Sequence, residues 1–146
     1  LGVGRRMLET YTELARGKQG RASISLMARN NAVQKDIGRM EAQLSGARAF
    51  LHEAANEVYE ASAAGTLTLD QRMRLRLATT HAMHEATEVS VACYRGAGTT
   101  AIMENAPFER RLRDALSVSQ HLQGMPAHYE MVGRHILGTE NVVQFL

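Results

Sequence analysis

Histidine and glutamate recur at helical spacing in one part of the chain, an arrangement that holds metals in some helical bundles. His81 with Glu85, and His84 with Glu88, each lie about one helical turn apart. A di-iron bundle requires Glu-x-x-His on two helices and a further Glu from each of two others. None of the six histidines has a Glu three residues before it. The pattern therefore indicates a solvated or boundary face of a helix, and we predict no metal site.

The only thiol in the sequence, Cys93, is a candidate nucleophile. It falls on the apolar face of a predicted helix, where burial favours an inert, protonated thiol. A single cysteine cannot form an internal disulfide or a cysteine-cluster zinc site, which fits a reducing compartment. The sequence also contains no Gly-x-Ser-x-Gly, Walker or dinucleotide-binding motif. Residue types and spacing alone therefore define no complete active site.

Charge and hydropathy argue against two classes of partner. The formal net charge is +2, but basic and acidic residues are interleaved, as between Glu109 and Asp114. This leaves no concentrated basic face with stacking aromatics, so we predict no nucleic-acid binding. No run of about 18 apolar residues is present, and the N-terminus lacks the apolar core of a signal peptide. We therefore expect a soluble, cytoplasmic protein with no membrane contact.

The elements that must position any site are predicted to be helices. Hydrophobic residues make up 45% of the 146 positions and aromatic residues only 5%, and the abundant Ala, Leu and Met favour helices over strands. An apolar stripe with steps of alternately four and three residues predicts a long helix that ends at Gly65. The stripe consists of Val33, Ile37, Met40, Leu44, Ala47, Leu51, Ala54 and Val58.

A capping box at Thr68 and Gln71 predicts the start of the next helix, antiparallel to the first after a short turn. This helix carries two apolar faces, which predicts a central position with packing partners on both sides. One face consists of Met73, Leu77, Thr80, His84, Thr87, Val91 and Tyr94, and the other of Leu75, Ala78, Ala82, Ala86, Val89 and Cys93.

Glycine and proline divide the remainder into shorter helices. A first helix is expected over residues 1–16, followed by a basic loop over 17–23. Pro107 suits the first turn of a fourth helix, whose predicted inner face is Phe108, Leu112, Ala115, Leu116, Ser119 and Leu122. Breaks are predicted at Gly96 and Gly98, at Gly124 and Pro126, and after the last helix at Gly138. The predicted fold is an all-α antiparallel four-helix bundle with short extra C-terminal helices.

The segment from residue 94 to residue 138 adds a family resemblance. It reads YRGAG at 94–98, PFERRLRDA at 107–115, SQH at 119–121 and YEMVGR at 129–134. The Gly-rich turn followed by Pro-x-Glu-Arg-x-x-Arg-Asp resembles the C-terminal helical domain of the acyl-CoA dehydrogenase superfamily, and the similarity in helix lengths extends across nearly the whole chain.

The resemblance implies that residues 1–146 are one domain of a larger flavoenzyme. In that family an N-terminal helical domain and a middle β-domain precede this bundle, and a flavin, FMN or FAD, lies between domains and across a subunit interface. The chain also begins on apolar residues without an initiator Met, as a piece cut from a longer parent does. We therefore expect an incomplete active site and a homo-oligomer, either a dimer or a tetramer.

One position bears on the choice of reaction within the superfamily. In many dehydrogenases a Glu after the Arg-Asp pair removes the substrate α-proton, and by the same spacing that Glu falls at Leu122, preceded by His121. Leu cannot accept a proton. The sequence is more similar to the flavin monooxygenase branch, in which such a His lies near the flavin and could hydrogen-bond the oxygenated flavin or help deprotonate a phenol. The alternative is that His121 only caps or bridges helices.

Other residues carry over from the resemblance as candidate flavin contacts. Arg95 stands where the family has the Gln of Gln-x-x-Gly-Gly, before Gly98 and Thr99, and an Arg there suits a phosphate. Arg113, followed by Asp114, matches the family's Arg-Asp pair, for which the alternative is an ion pair at the helix surface or between helices.

The resemblance leaves three functions open. The first is a two-component flavin-dependent monooxygenase that receives reduced flavin from a separate reductase and hydroxylates a small aromatic substrate. The second is an acyl-CoA dehydrogenase whose base comes from another helix. The third is a non-catalytic helical oligomerisation module. In the basic loop, Arg21 and Arg29 could reach a flavin phosphate of a neighbouring subunit, or the loop could be merely solvated.

Overall fold

In a computed structural model, which describes residues 1–19 and 24–139, the chain folds into five α-helices. They are α1 (Gly2–Gly17), α2 (Asn31–Ala63), α3 (Leu69–Ala97), α4 (Phe108–Ser119) and α5 (Ala127–Ile136). Short 3₁₀ turns lie at Met27–Arg29, Gly98–Ile102 and Leu122–Gly124. The described residues contain no β-strand, only an isolated bridge between Gln19 and Leu26. The prediction of an all-α fold is confirmed.

Helix α2 follows the predicted apolar stripe, with Met40, Leu44, Ala47 and Ala54 fully buried. At its start the Asn30 side chain accepts a hydrogen bond from the Ala32 amide at 2.8 Å, a cap that satisfies one of the unpaired amides of the first turn. The helix ends next to Gly65, which has a φ of +69° and therefore a conformation that glycine adopts without strain.

Helix α3 begins at the predicted capping box, in which the Thr68 hydroxyl accepts from the Gln71 amide and the Gln71 side chain accepts from the Thr68 amide. It packs against all four other α-helices, as its two apolar faces predicted. Among the described residues, no helix is both long and apolar enough to span a bilayer.

The main apolar core lies around the C-terminal half of α3, where α1, α2 and α4 meet it. Its largest buried side chains include Met7, Met40, Val89 and Phe108, each of which stabilises the fold by roughly 1.5–3 kcal/mol through burial. Cys93 lies in this core, and burial raises the pKa of its thiol to about 12. The thiol is therefore protonated at neutral pH, as expected for an inert buried cysteine.

Two sequence-based expectations about α3 and α4 were wrong. Gly96 does not break α3, which continues to Ala97. Instead, an ideal Cβ at Gly96 would lie 2.6 Å from the Tyr11 ring, so the glycine makes room for a tyrosine of another helix. Leu116 and Leu122 do not belong to the inner face of α4. Leu116 is exposed, and Leu122 lies beyond the end of α4 in an exposed turn.

Candidate functional site

The predicted site residues lie in three places along α3 and α4, and all of them are exposed. Arg95, Gly98 and Thr99 are at the C-terminal end of α3, Arg113 is in the middle of α4, and His121 follows α4. Because a 12-residue helix is about 18 Å long, the length of α4 separates His121 from the other end of the set. These positions are therefore spread along the two helices and do not form a closed cluster.

The turn after α3 is held by a residue that the sequence analysis had assigned only to a basic loop. The Lys18 ammonium group donates to the Ala97 carbonyl at 2.8 Å and to the Thr100 hydroxyl at 2.7 Å. A cation at the C-terminal end of a helix satisfies free carbonyls and opposes the negative end of the helix dipole. Gly98, with a φ of +59°, turns the chain here.

Arg95 lies one turn before this capped end. Within the described part of the chain its guanidinium makes no hydrogen bond or ion pair, so the cation remains available to an anion. Arg29 is also exposed, at the end of a 3₁₀ turn, whereas Arg21 lies outside the described residues.

A groove of about 540 Å³ lies along α4 beside Tyr94 of α3, and of the predicted site residues it includes only Arg113. It is lined by Tyr94, Glu109, Leu112, Arg113, Leu116, Ser117 and Gln120. The Arg113 guanidinium lies 3.5 Å from the Glu109 carboxylate, one turn earlier on α4. Among the described residues Arg113 makes no ion pair with Asp114, so the pairing on the helix surface differs from the one that the Arg-Asp motif would give.

The turn after α4 fixes one nitrogen of His121. Its Nδ1 atom accepts a hydrogen bond from the Gln123 amide at 3.2 Å, which caps the 3₁₀ turn Leu122–Gly124. Because the lone pair of Nδ1 is used in this bond, a neutral ring carries its proton on Nε2. His121 is thus a cap, as the alternative proposed, and also an exposed group that presents an N–H donor.

Three side chains of α3, spaced four residues apart, hold this turn. Arg76 donates to the Gln123 side-chain oxygen, the Thr80 hydroxyl lies 3.1 Å from the Gln123 carbonyl, and His84 Nε2 lies 2.8 Å from the Gly124 carbonyl. Residues at this spacing share one face of a helix. Sequence reasoning placed Thr80 and His84 on an apolar face but could not identify their partners, which lie about 40 residues later in the chain.

Behind the turn, Thr80 is fully buried beside His128 of α5, with the hydroxyl 3.2 Å from the imidazole Nδ1. The hydroxyl also faces the carbonyls of Arg76 and Gln123, yet it has one proton to donate. This competition for one proton favours the tautomer in which Nδ1–H of His128 donates to the hydroxyl oxygen. Burial lowers the pKa of His128, and the positive charge of Arg76 lowers it further, so the buried imidazole is neutral at pH 7.

Apolar side chains surround this turn on the solvent side. Val118, Leu122 and Met125 are 55%, 53% and 43% exposed. A group of exposed large hydrophobic residues beside a fixed hydrogen-bond donor is typical of a surface that is covered by a ligand or another protein segment. Among the described residues, no group of three or more His, Cys, Asp or Glu side chains could hold a metal ion.

A family model described as "Acyl-CoA dehydrogenase, C-terminal domain" matches residues 1–125 of the chain. Two curated relatives share the name indole-3-acetate monooxygenase. The protein from Pseudomonas putida is 30% identical over 147 residues, which cover 100% of this chain and 38% of the relative. The one from Acinetobacter baumannii is 31% identical over 122 residues, which cover 83% of this chain and 31% of the relative. The matches thus cover only 31–38% of the length of these relatives.

Solved structures share the fold across nearly the whole chain. XiaF from a Streptomyces species, in complex with FADH2 and glycerol, has a TM-score of 0.90 at 20% identity, and the match covers 99% of this chain and 37% of XiaF. The HsaA monooxygenase from M. tuberculosis has a TM-score of 0.82 at 23% identity, with 96% of this chain and 36% of HsaA covered. The 3-HSA hydroxylase from a Rhodococcus species also has a TM-score of 0.82, at 20% identity, with 95% of this chain and 35% of the hydroxylase covered.

Proposed function

The chain belongs to the acyl-CoA dehydrogenase C-terminal domain family, and on that premise we propose that it is the C-terminal bundle of a flavin-dependent monooxygenase acting on a small aromatic substrate. One observation carries the proposal. By the spacing of the motif that resembles the family, the glutamate base of many dehydrogenases would fall at Leu122, which lies beside His121 in an exposed turn. Leu122 cannot remove a proton from a thioester substrate. The names of the two curated relatives support the same reaction.

The bundle supplies one wall of the site, and the others belong to further domains of the same polypeptide. The proposal places an N-terminal helical domain and a middle β-domain in the full-length protein, in agreement with the 38% of the P. putida relative that the chain spans. It also includes assembly into a homo-oligomer, a dimer or a tetramer, supported by exposed large hydrophobic residues away from the turn. These include Tyr59, Ile102, Ile136 and Leu137. The single, reduced cysteine supports a cytoplasmic location.

The residues along α3 and α4 fit a flavin, FMN or FAD. The Arg95 guanidinium, the turn at Gly98 and Thr99, and the partly neutralised Arg113 are suited to its phosphate groups. The exposed side chains of Leu122 and Met125 are suited to its planar ring. When bound, a reduced flavin supplied by a separate reductase would provide the activation of O₂ that hydroxylation requires.

His121 acts in this proposal as a hydrogen-bond donor. Its Nδ1 accepts from the Gln123 amide, so the neutral ring offers Nε2–H to an oxygen atom bound at the turn. To act as a base through Nε2, the ring would need its proton on Nδ1, where it would face the proton of the Gln123 amide. The contact therefore favours donation over deprotonation of a phenol.

The test uses the full-length polypeptide with reduced FMN or FAD, O₂ and indole-3-acetate, with products followed by mass spectrometry. We expect a product that contains one additional oxygen atom. His121→Ala should lower the rate about 100-fold or more, the effect of removing one hydrogen-bond donor that stabilises charge in the transition state. His121→Gln should retain more activity, because its amide can still donate.

Two other results would contradict the proposal. Oxidation of an acyl-CoA with an artificial electron acceptor, without any oxygenated product from a panel of aromatic acids, would indicate a dehydrogenase. Failure of the full-length polypeptide to bind either flavin would indicate a non-catalytic module.

A further inference from the structure

Three side chains of α3 form hydrogen bonds with the short turn after α4. Two consecutive residues, Gln123 and Gly124, receive hydrogen bonds from Arg76, Thr80 and His84, which lie at i, i+4 and i+8 on one face of α3. The Leu122–Gly124 turn has only three residues. Within the turn the Gly124 amide donates to the His121 carbonyl at 2.8 Å, and the side chains of α3 add the bonds that hold the turn against the bundle.

Gln123 connects these contacts with His121. The Gln123 amide donates to His121 Nδ1 while the Gln123 carbonyl is bound by Thr80, so one residue links the buried hydroxyl to the exposed imidazole. His84 is further oriented by Tyr129 of α5, with the two rings edge to face and their centroids 5.3 Å apart. The support for the turn therefore comes from both α3 and α5.

Close packing leaves little room for the turn to move inward. Gly124 is buried, and an ideal Cβ there would lie 2.9 Å from the Ser119 carbonyl oxygen and 3.0 Å from the terminal carbon of Met83. Thr80 and His128 behind the turn are 0% and 4% exposed. Buried polar groups with all partners present are rigid, because moving either partner leaves a donor or acceptor without a bond.

We propose that Thr80, His84 and His128 are positioning residues that fix the orientation of the His121 imidazole through residues 123 and 124. The inference rests on the proposed function for the role of His121, but the contacts on which it depends are independent of that function. It predicts that removing one buried hydroxyl will loosen the turn and misdirect His121 without unfolding the bundle.

The first test is hydrogen exchange, followed by mass spectrometry, on the full-length polypeptide without added flavin. Thr80→Val keeps the side-chain shape and removes the hydroxyl. We expect amide exchange in residues 120–126 to rise about tenfold, the effect of losing one buried hydrogen bond, while exchange in α1 and α2 is unchanged. Thr80→Ser should restore the wild-type rate.

Thr87→Val is the matched control, because the Thr87 hydroxyl also bonds to a carbonyl one turn earlier, that of Met83, but does not contact the turn. It should leave exchange at 120–126 unchanged. His84→Phe is a second variant, which keeps an aromatic ring against Tyr129 and removes the donor to Gly124. It should reproduce the effect of Thr80→Val even if the latter folds poorly.

Steady-state kinetics then separate positioning from simple structural support. Thr80→Val and His84→Phe should lower kcat about tenfold with KM unchanged, and Thr80→Ser should restore kcat. Equal exchange in Thr80→Val and Thr87→Val, or faster exchange throughout the bundle in both Thr80→Val and His84→Phe, would overturn the inference.

The exchange experiment also distinguishes the two proposals. If the turn loosens selectively but no oxygenated product forms with wild-type protein, the monooxygenase proposal fails and the positioning contacts stand. If the wild type oxygenates its substrate and His121→Ala does not, while Thr80→Val changes neither exchange nor kcat, the function stands and the positioning inference is wrong.

Discussion

The two halves of α3 are buried in different ways. Residues 86–97 pack against apolar side chains of α1, α2 and α4, including Met7, Met40 and Phe108. Residues 73–84 also bury apolar side chains, Met73 among them, but here the contacts with the turn after α4 and with α5 include hydrogen bonds of Thr80 and His84. One helix thus combines a non-directional apolar contact with a directional polar one.

The two kinds of contact are expected to have different effects, one on the stability of the bundle and the other on the orientation of the turn after α4. Apolar burial contributes in proportion to the area removed from water and tolerates small shifts. A buried hydroxyl between two carbonyls and an imidazole contributes little net free energy, but it has one favourable arrangement. We therefore expect the apolar half of α3 to contribute more to the free energy of folding, and the polar half to orient the His121 turn.

The largest expected effect comes from removing Phe108, a core aromatic of α4 that packs against the apolar half of α3. Phe108 is 2% exposed, so Phe108→Ala should destabilise the bundle by about 3–5 kcal/mol, through lost burial and a residual cavity. Chemical denaturation of the full-length polypeptide measures the loss. Phe50→Ala is the control, because Phe50 is only half-buried, against Arg74 and His81, and should cost clearly less. Equal losses would show that the apolar half does not dominate stability.

A smaller effect is expected from a methyl group added to the turn that contacts the polar half of α3. Gly124→Ala places a carbon against the Ser119 carbonyl and Met83, and overpacking of this kind costs about 1–3 kcal/mol. The control is Gly46→Ala, a helical position where an ideal Cβ meets no atom within 4 Å. That change should stabilise α2 by up to about 1 kcal/mol. Thermal denaturation of both variants should therefore shift in opposite directions, and a neutral Gly124→Ala would mean that the turn is loosely seated.

The sequence was sufficient for the elements that depend on local chemistry. The α2 stripe, the capping box at Thr68, the stop at Gly65 and the central place of α3 all follow from spacing and caps. What it missed depends on contacts between distant segments. Gly96 was predicted to be a break because nothing local indicates that Tyr11 would pack on it.

The site shows the same limit. The family resemblance drew attention to His121, but the hydrogen bonds behind its turn could not be predicted. They join segments that are far apart in the chain, such as Thr80 and His128, which are separated by 48 residues. Leu122 was assigned to the inner face of α4 because the helical period was extended past Ser119, where the helix ends. The chemical role of His121 therefore stays a prediction, whereas the contacts of its turn could be described only from the structure.

The pH dependence of stability should reveal the contribution of His128, which contacts Thr80 in the polar half of α3. Burial, followed by the charge of Arg76, lowers the pKa of His128 below its ordinary value of 6.5. Between the folded and unfolded pKa values the unfolded chain binds more protons. The contribution of His128 to stability is therefore complete above about pH 6.5 and is lost as the pH falls through the folded pKa. His128→Gln should remove this part of the pH dependence, and His52→Gln, at an exposed position of α2, should retain it. Identical profiles for both variants and the wild type, from melting temperatures at pH 5–8, would contradict the assignment.

The smallest effect is expected outside both halves, at the rim between α1 and α2. Arg5 forms a two-pronged hydrogen-bonded ion pair with Glu41, which also accepts from Ser45 at 2.8 Å, and these contacts lower the pKa of Glu41 to about 2. The stabilisation is present above the ordinary pKa of 4.5 and is lost as the pH falls towards 2. Both side chains of the ion pair are more than a third exposed, so screening by water limits its stabilisation to below about 1 kcal/mol.

Glu41→Gln should therefore flatten the loss of stability between pH 4.5 and 2, measured by urea denaturation, while barely changing the stability at pH 7. Glu60→Gln, which removes a carboxylate without an ion pair to any described residue, should leave the profile unchanged. A loss at pH 7 as large as that of Gly124→Ala would mean that this rim, and not only the two halves of α3, holds the bundle together.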